Sequence, residues 1–376
     1  MHKVLVVSTL GRHFRYFGQY DYKVLKELGY EVHAAANFKV KEYDSFEEEG
    51  VIKHQIDFER TPFSYKNIVA YFQLKKLFKN NNYKIVHCQS PTAGFFTRMA
   101  FLHFRNKERN IVYTAHGFHF FKGAPLLNWI LYYPVEKCLS RVTDALITIN
   151  NEDYQISKKR FKCKTYKIPG IGIDLNKYSR TESATDLEKL RDELGLNNDD
   201  FVLIFVGELN KNKNQIFLIR CVKELLKRGY SKIKLLLVGE GVKMPFCKSY
   251  VIKNNLQNNV TFCGYRHDVP RLYSLSNISV SSSYREGLPV NVMEAMASGL
   301  PLIVTNCRGN ADLVMNGENG YTIDFDDEEA FVQAVIKLHN DRKLLYDMGH
   351  KSKELILHYS IENVQEQMKS IYNDLI

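Results

Sequence analysis

Ten short apolar runs restrict the folds open to this chain more than any other feature. In the first half they are 3–8 (KVLVVS), 31–35, 85–88, 111–114 and 145–149. In the second they are 201–206 (FVLIFV), 234–238 (KLLLV), 260–262, 278–281 and 302–305. Helix-like stretches separate them. One is 16–29, closed by glycine; another is 65–80, with Ile68, Phe72, Lys75 and Lys79 on neighbouring turns. Continuous apolar strands alternating with helices predict parallel sheets covered on both faces. A chain of 376 residues has room for two such domains. The predicted class is therefore α/β, with two Rossmann-like, doubly wound domains. Glycine and proline gather in IPGIGIDLNKY and mark the join. The expected domains are 1–175 and 176–360, with the charged stretch 181–200 leading into the second and a helix over 361–376. Doubly wound sheets bind ligands at the carboxyl ends of their strands.

Composition narrows the function classes. Hydrophobic residues at 45% and charged residues at 25% suit a soluble globular protein. The richest apolar stretch, NWILYYPV, is far too short to span a bilayer. The first residues, MHKVLVVSTLGRH, read as a strand and not as a signal peptide. Seven scattered cysteines without a CxxC pair suggest reduced thiols in a cytoplasm and no structural zinc. Residues 1–180 hold 29 Lys and Arg against 16 Asp and Glu, a balance of +13, while the rest balances at −3. The first half is thus expected to face something anionic. No helix-turn-helix, RNP or zinc-finger pattern supports nucleic acid.

The densest chemistry lies in residues 282–301, SSYREGLPVNVMEAMASGLP. Glu286 and Glu294 are separated by seven residues, with a Gly-Leu-Pro turn and an apolar, helix-suited run between them. Gly299 and Pro301 stop that helix. Pro289 is placed in its first turn, where a missing amide hydrogen costs nothing. A helix N-terminus beside a glycine turn offers free amides to phosphate. Carboxylates on both sides of such an anion site suit a ligand with a diphosphate centre and hydroxyl-rich ends, which describes a sugar nucleotide. The bland alternative is a solvated helix with two incidental glutamates.

In its wider context, SSYREGLPVNVMEAMASGLPLIVTNCRGNADLV resembles the Glu-x7-Glu region of retaining glycosyltransferases of family four, which have the GT-B fold. VVSTLGRHF, YTAHGFHFF, IPGIGIDLNKY, LLLVGEGV, FCGYRHDVP and NGENGYTID agree, in the family's order, over nearly the whole chain. The nearest likeness is to bacterial capsular and exopolysaccharide enzymes. The resemblance implies two domains facing each other across a cleft, the first binding acceptor and the second nucleotide sugar, with 361–376 returning to the first.

The same resemblance assigns roles. Glu286 would face the donor sugar, and Gly287, Leu288, Pro289 and Val290 would meet the sugar or diphosphate. Glu294 would accept both ribose hydroxyls, since a carboxylate has two acceptor oxygens. Lys213, in the loop after Gly207, matches the family's phosphate-binding lysine; a point charge there stabilises the leaving group. The arginine that often follows that glycine is replaced by Glu208, with Lys211 and Arg285 as substitutes. His116 matches the histidine near the reacting sugar and would donate a hydrogen bond and titrate near neutral pH; His119 competes for the role. Gly11 would approach the diphosphate, with His13 and Arg15 as further contacts. Gly239, Gly241, Tyr265 and Arg266 match loops around the base.

No metal or other cofactor is expected. Asp324 and Asp326 match Asp-x-Asp nominally, but far from a glycine phosphate loop they read as a surface turn. The expected reaction is transfer from a UDP-linked hexose or N-acetylhexosamine, with GDP-mannose as runner-up. The expected acceptor is a saccharide on a polyprenyl diphosphate. Segments mixing aromatic and basic residues, TPFSYKNIVAYFQLKKLFKN, GFFTRMAFLHFRNKER and GAPLLNWILYYPVEK, suit peripheral attachment to an anionic leaflet; core-packed helix faces would show the same spacing. Two other readings remain open at this point: a sugar-nucleotide epimerase on the same architecture, and a non-catalytic partner subunit.

Overall fold

The computed structural model describes residues 1–16, 18–39, 46–178 and 183–375. The chain divides into two compact units, Met1–Gly172 with Ile361–Ile376, and Ile173–Ser360. Parts of three expected segments lie outside the described residues: Phe17 within 16–29, 181–182 at the start of 181–200, and Ile376.

The first unit is built on seven strands: β1 (Lys3–Leu10), β2 (Glu31–Asn37), β3 (Val51–Gln55), β4 (Tyr83–Gln89), β5 (Asn110–Ala115), β6 (Ala145–Thr148) and β7 (Lys164–Lys167). They pair in the order β3-β2-β1-β4-β5-β6-β7, all parallel. The second unit has six: β8 (Phe201–Val206), β9 (Ile233–Val238), β10 (Val260–Gly264), β11 (Ile278–Ser281), β12 (Leu302–Thr305) and β13 (Gly320–Ile323). Their order is β10-β9-β8-β11-β12-β13, again all parallel. Central strands such as β1 and β8 are buried nearly end to end, as parallel strands covered on both faces must be. In each sheet the strand order reverses once, between β1 and β4 and between β8 and β11. Such a reversal leaves a crevice at the carboxyl ends of the strands.

Three strands were not expected from the sequence: β3, β7 and β13. Each lies at a sheet edge, and β3 and β7 are half-exposed or exposed along their length, so neither carries the apolar run that marks a central strand. The helix expected over 16–29 is two helices, Arg12–Tyr16 and Gln19–Glu27. Gly18 packs between them against Phe14, where a Cβ would come within 2.9 Å of the Phe14 Cα. In the helix Lys66–Asn80 the core-facing residues are Asn67, Ala70, Leu74 and Phe78. Ile68 and Phe72, on the expected stripe, point to solvent.

The last helix, Ile361–Asn373, belongs to the first unit. It lays Val364, Met368, Ile371 and Tyr372 into the core and packs on the helix Gln19–Glu27.

Candidate functional site

In the second unit, the two loops that leave β8 and β11 flank the strand-order reversal, and each turns one charged side chain inward. Lys213 comes from the β8 loop and Glu286 from the β11 loop. Lys213 Nζ donates to Glu286 Oε1 at 2.6 Å, and both side chains are largely buried. Polar bonds lock the two loops together. Ser282 Oγ donates to the carbonyls of Lys213 and Asn214. The Asn212 amide donates to the Arg285 carbonyl at 2.9 Å, and the Tyr284 amide donates back to the Asn212 carbonyl.

Glycine is required where loops touch. Gly239 has φ +130°, and a Cβ there would sit 2.2 Å from the Gly207 carbonyl oxygen. Gly309 has φ +83°, and its Cβ would sit 2.5 Å from the Gly287 carbonyl oxygen. No L side chain adopts either position without moving the loop beside it.

The helix after Glu286 is Val290–Ala297, with Pro289 preceding it in extended conformation and no side chain capping its N-terminus. Pro289 is therefore just outside the helix, not in its first turn; Leu288 is buried and Gly287 and Val290 are partly exposed. Glu294 is the fifth helical residue, one turn in. It is half-buried, its Oε1 accepts from the Tyr178 hydroxyl at 2.5 Å, and desolvation raises its pKa. One oxygen of the expected ribose acceptor is thus held by a tyrosine of the same unit, which the sequence did not single out.

Gly207 lies beside Lys213, and Gly239 against Gly207, but other expected residues are dispersed. Glu208, Lys211 and Arg285 are exposed. Arg308, also not anticipated, donates from Nε to the Glu286 carbonyl at 3.1 Å. Arg266 is committed to Asp268 and Glu193, and Tyr265 is exposed beside His267. Asp326 sits in a turn with φ +59°, accepting from the Asn214 amide and the Tyr284 hydroxyl and paired with Arg220.

In the first unit a second polar cluster occupies the other reversal. Gln89 ends β4, His13 follows β1 and His116 follows β5. Nε2 of His13 lies 2.6 Å and Nε2 of His116 2.8 Å from Gln89 Oε1. The Gln89 amide nitrogen donates to Asp21 Oδ2. Behind it, the Tyr372 hydroxyl donates to Asp21 Oδ1 at 3.2 Å and lies 2.7 Å from His87 Nδ1, whose Nε2 meets Thr114 Oγ1 at 2.7 Å. Burial lowers the pKa of His116 and His87 to about 3 and of His13 to about 4, and raises that of Asp21. His116 is therefore neutral at pH 7 and does not titrate near neutrality, contrary to expectation. His119 instead stacks on Tyr132 with ring centroids 4.6 Å apart. The Gly11 amide is spent on the Asn37 carbonyl at 3.0 Å.

Surface character completes the picture of the first unit. The helix Leu126–Leu139 buries only Leu139. Leu126, Leu127, Ile130 and Leu131 are exposed, as are Phe63, Ile68 and Phe72. Trp129, Tyr132 and Tyr133 pack on the core, so those aromatics are structural while the aliphatic side chains beside them are exposed. No helix among the described residues is long and apolar enough to cross a membrane.

Two parallel sheets, each with a polar cluster at its strand-order reversal, define a ligand-binding protein of the double-Rossmann class. Comparison with known proteins makes the class specific. Residues 186–355 match the family model for glycosyl transferases group 1, and residues 3–150 match that for glycosyl transferase 4-like proteins. The chain is 39% identical over 373 residues to the putative glycosyltransferase EpsD of Bacillus subtilis, covering 99% of this chain and 96% of that one. It is 29% identical over 316 residues to an Escherichia coli enzyme named UDP-Gal:alpha-D-GlcNAc-diphosphoundecaprenol alpha-1,3-galactosyltransferase, covering 83% and 80% of the two chains. The solved structure of Anabaena HepE in complex with UDP and glucose superposes over the full length of both chains, with a TM-score of 0.80 at 18% identity. The chain belongs to the family-four glycosyltransferases of the GT-B fold, of the kind found in capsular and exopolysaccharide biosynthesis.

Proposed function

We propose that this glycosyltransferase moves a hexose or N-acetylhexosamine from a UDP-linked donor to a saccharide carried on a polyprenyl diphosphate, with retention at the anomeric carbon. The observation that carries the reading is the Lys213–Glu286 pair, held at 2.6 Å beside an uncapped helix N-terminus. A cation, free amides and a carboxylate at one point suit a diphosphate joined to a sugar. In this reading Lys213 leaves Glu286 for the diphosphate and stabilises the departing charge, and Glu286 accepts from the sugar hydroxyls. Gly287 to Val290 line the approach, and Glu294 takes the ribose with the oxygen that Tyr178 does not use. His116 makes a hydrogen bond to the reacting sugar. Lys213 and the helix amides supply the positive charge that a metal supplies elsewhere.

The donor and acceptor classes are supported by the name of the Escherichia coli relative, which specifies a UDP-sugar and a diphosphoundecaprenol-linked acceptor. Attachment to an anionic leaflet is supported by the +13 balance of residues 1–180 and by the exposed aliphatic face of Leu126–Leu139, since apolar insertion and basic side chains add in membrane binding. A screen of nucleotide sugars that follows release of free nucleotide tests the reaction, and a thermal-shift scan of UDP, GDP, ADP and CMP tests the base. Stabilisation by GDP and not UDP would overturn the donor. Flotation with anionic but not neutral vesicles, weakened by salt and by the Lys75→Glu, Lys76→Glu pair, tests the membrane; no retention on any vesicle would redirect the search to a soluble acceptor.

A further inference from the structure

Gln89 is buried at the end of β4, one residue before the loop that opens the first unit's crevice. Its amide is asymmetrically surrounded. On one side stands Asp21, which the amide nitrogen meets at Oδ2. On the other stand three groups able to donate: the Tyr20 hydroxyl at 3.3 Å, His13 Nε2 and His116 Nε2. An amide oxygen only accepts and an amide nitrogen only donates. Turning the amide over would set its oxygen against the carboxylate and its NH2 against the three donors. An ionised Asp21 thus selects one orientation, and in that orientation both imidazoles carry their proton on Nε2.

We propose that Gln89 is the positioning residue of the first unit's site: anchored by Asp21, it fixes His13 and His116 as Nε2–H tautomers whose lone pair lies on Nδ1. Any hydrogen bond that His116 makes through Nδ1, to a substrate hydroxyl included, is then one it accepts and not the donation that the sequence led one to expect. The anchor reaches the end of the chain. Asp21 Oδ1 accepts from Tyr372 on the helix Ile361–Asn373, and the same hydroxyl touches His87. The return of the last helix to the first unit thereby sets a tautomer at the site as well as closing a core. The use made of His116 rests on the function proposed above; the tautomer assignment does not.

Nitrogen-15 NMR of the histidine-labelled full chain at pH 7 decides the matter, because neutral tautomers differ in the shifts of their two ring nitrogens. His13→Asn and His116→Asn identify the two signals. The expected result is Nε2–H for both rings. Nδ1–H at either ring in the unaltered protein overturns the proposal, whatever any variant does. The isosteric Gln89→Met removes the acceptor, and the His116 signal should become a mixture of tautomers while kcat falls about tenfold with the donor KM within about threefold, the pattern of a contact made in the transition state. An unchanged His116 tautomer in Gln89→Met also overturns it. Full turnover in His116→Asn would sink the role given to His116 in transfer and would show in kcat alone, apart from the tautomer result.

Discussion

Arg98 ties the exposed helix Leu126–Leu139 to the first unit, and removing it should loosen that helix measurably. Its side chain is 1% exposed. The guanidinium donates to both Glu136 oxygens, at 2.9 and 3.1 Å, and its Nε donates to the Gly94 carbonyl at 2.9 Å. The charge lies 4.0 Å above the Tyr113 ring. Taking away one partner of a buried, bidentate pair leaves the other desolvated and unmatched, a loss of about 3–5 kcal/mol. Arg98→Met and Glu136→Leu should each cost that much. Together they replace the pair by apolar volume, and most of the loss should return, because the ion pair itself is close to break-even. With an m-value of roughly 2–3 kcal/mol/M in urea for a unit of this size, each single variant should lower the midpoint by about 1–2 M. The chain's one tryptophan, Trp129, lies on the same helix with its Nε1 donating to the Phe121 carbonyl, so its fluorescence reports this docking directly while circular dichroism reports both units. A single variant with an unmoved midpoint, or a double variant as weak as the singles, would refute the reasoning.

Three further outcomes follow from the geometry. Stability of the first unit should fall as pH drops from about 6.5 towards 4, because burial keeps His87, His116, His13 and His54 neutral where the unfolded chain takes up protons. Asp21 opposes this, since its raised pKa lets the native state bind a proton that the unfolded state releases. Four against one, with the three half-buried histidines counting less, leaves roughly 2 kcal/mol lost per pH unit; a flat tryptophan midpoint between pH 6.5 and 4.5 would contradict it, and Asp21→Asn should steepen the fall. Glu286→Ala, Lys213→Ala and His116→Ala should each lower turnover by about 10²-fold or more, Glu294→Ala should chiefly weaken nucleotide binding, and EDTA should change little; steady-state kinetics with the screened donor decide. Gly309→Ala should push on the Gly287 carbonyl 2.5 Å away and move the loop that bears Glu286, so kcat should fall further than the melting temperature implies.

How far the sequence reveals this fold depends on how each strand is buried. β8 is read correctly from FVLIFV alone, because a strand covered on both faces must be apolar at every position. β7, KTYK, has one neighbour and mostly solvent, so nothing forces its composition, and it looks like loop. Helix faces are harder still. Residues 66–80 show two possible stripes, and only the packing against the helix Pro91–Phe101 selects the one bearing Leu74 and Phe78. The helix Leu126–Leu139 departs from the usual rule: it packs its aromatic side chains on the core yet leaves Leu126, Leu127, Ile130 and Leu131 exposed, which spacing alone could not distinguish from a core helix.

The candidate site divides along the same line. Lys213 and Glu286 are 73 positions apart, yet both are legible, because each follows an apolar strand with a glycine turn nearby. What joins them is strand order. β8 and β11 become neighbours only through the reversal, and that puts their following loops side by side. In the first unit the same reversal gathers His13, Gln89 and His116 from the ends of β1, β4 and β5. His116 stands out in TAHGFHFF, but in VHCQSP the glutamine is one polar residue closing an apolar run. Nothing local marks it as more than a strand end. Its importance comes from Asp21, 68 positions earlier, and, through Asp21, from Tyr372, 351 positions beyond that aspartate. Residues that touch a ligand lie near motifs, and residues that orient them lie wherever the fold brings a donor to an acceptor. A sequence read without its strand order therefore finds the first kind and misses the second.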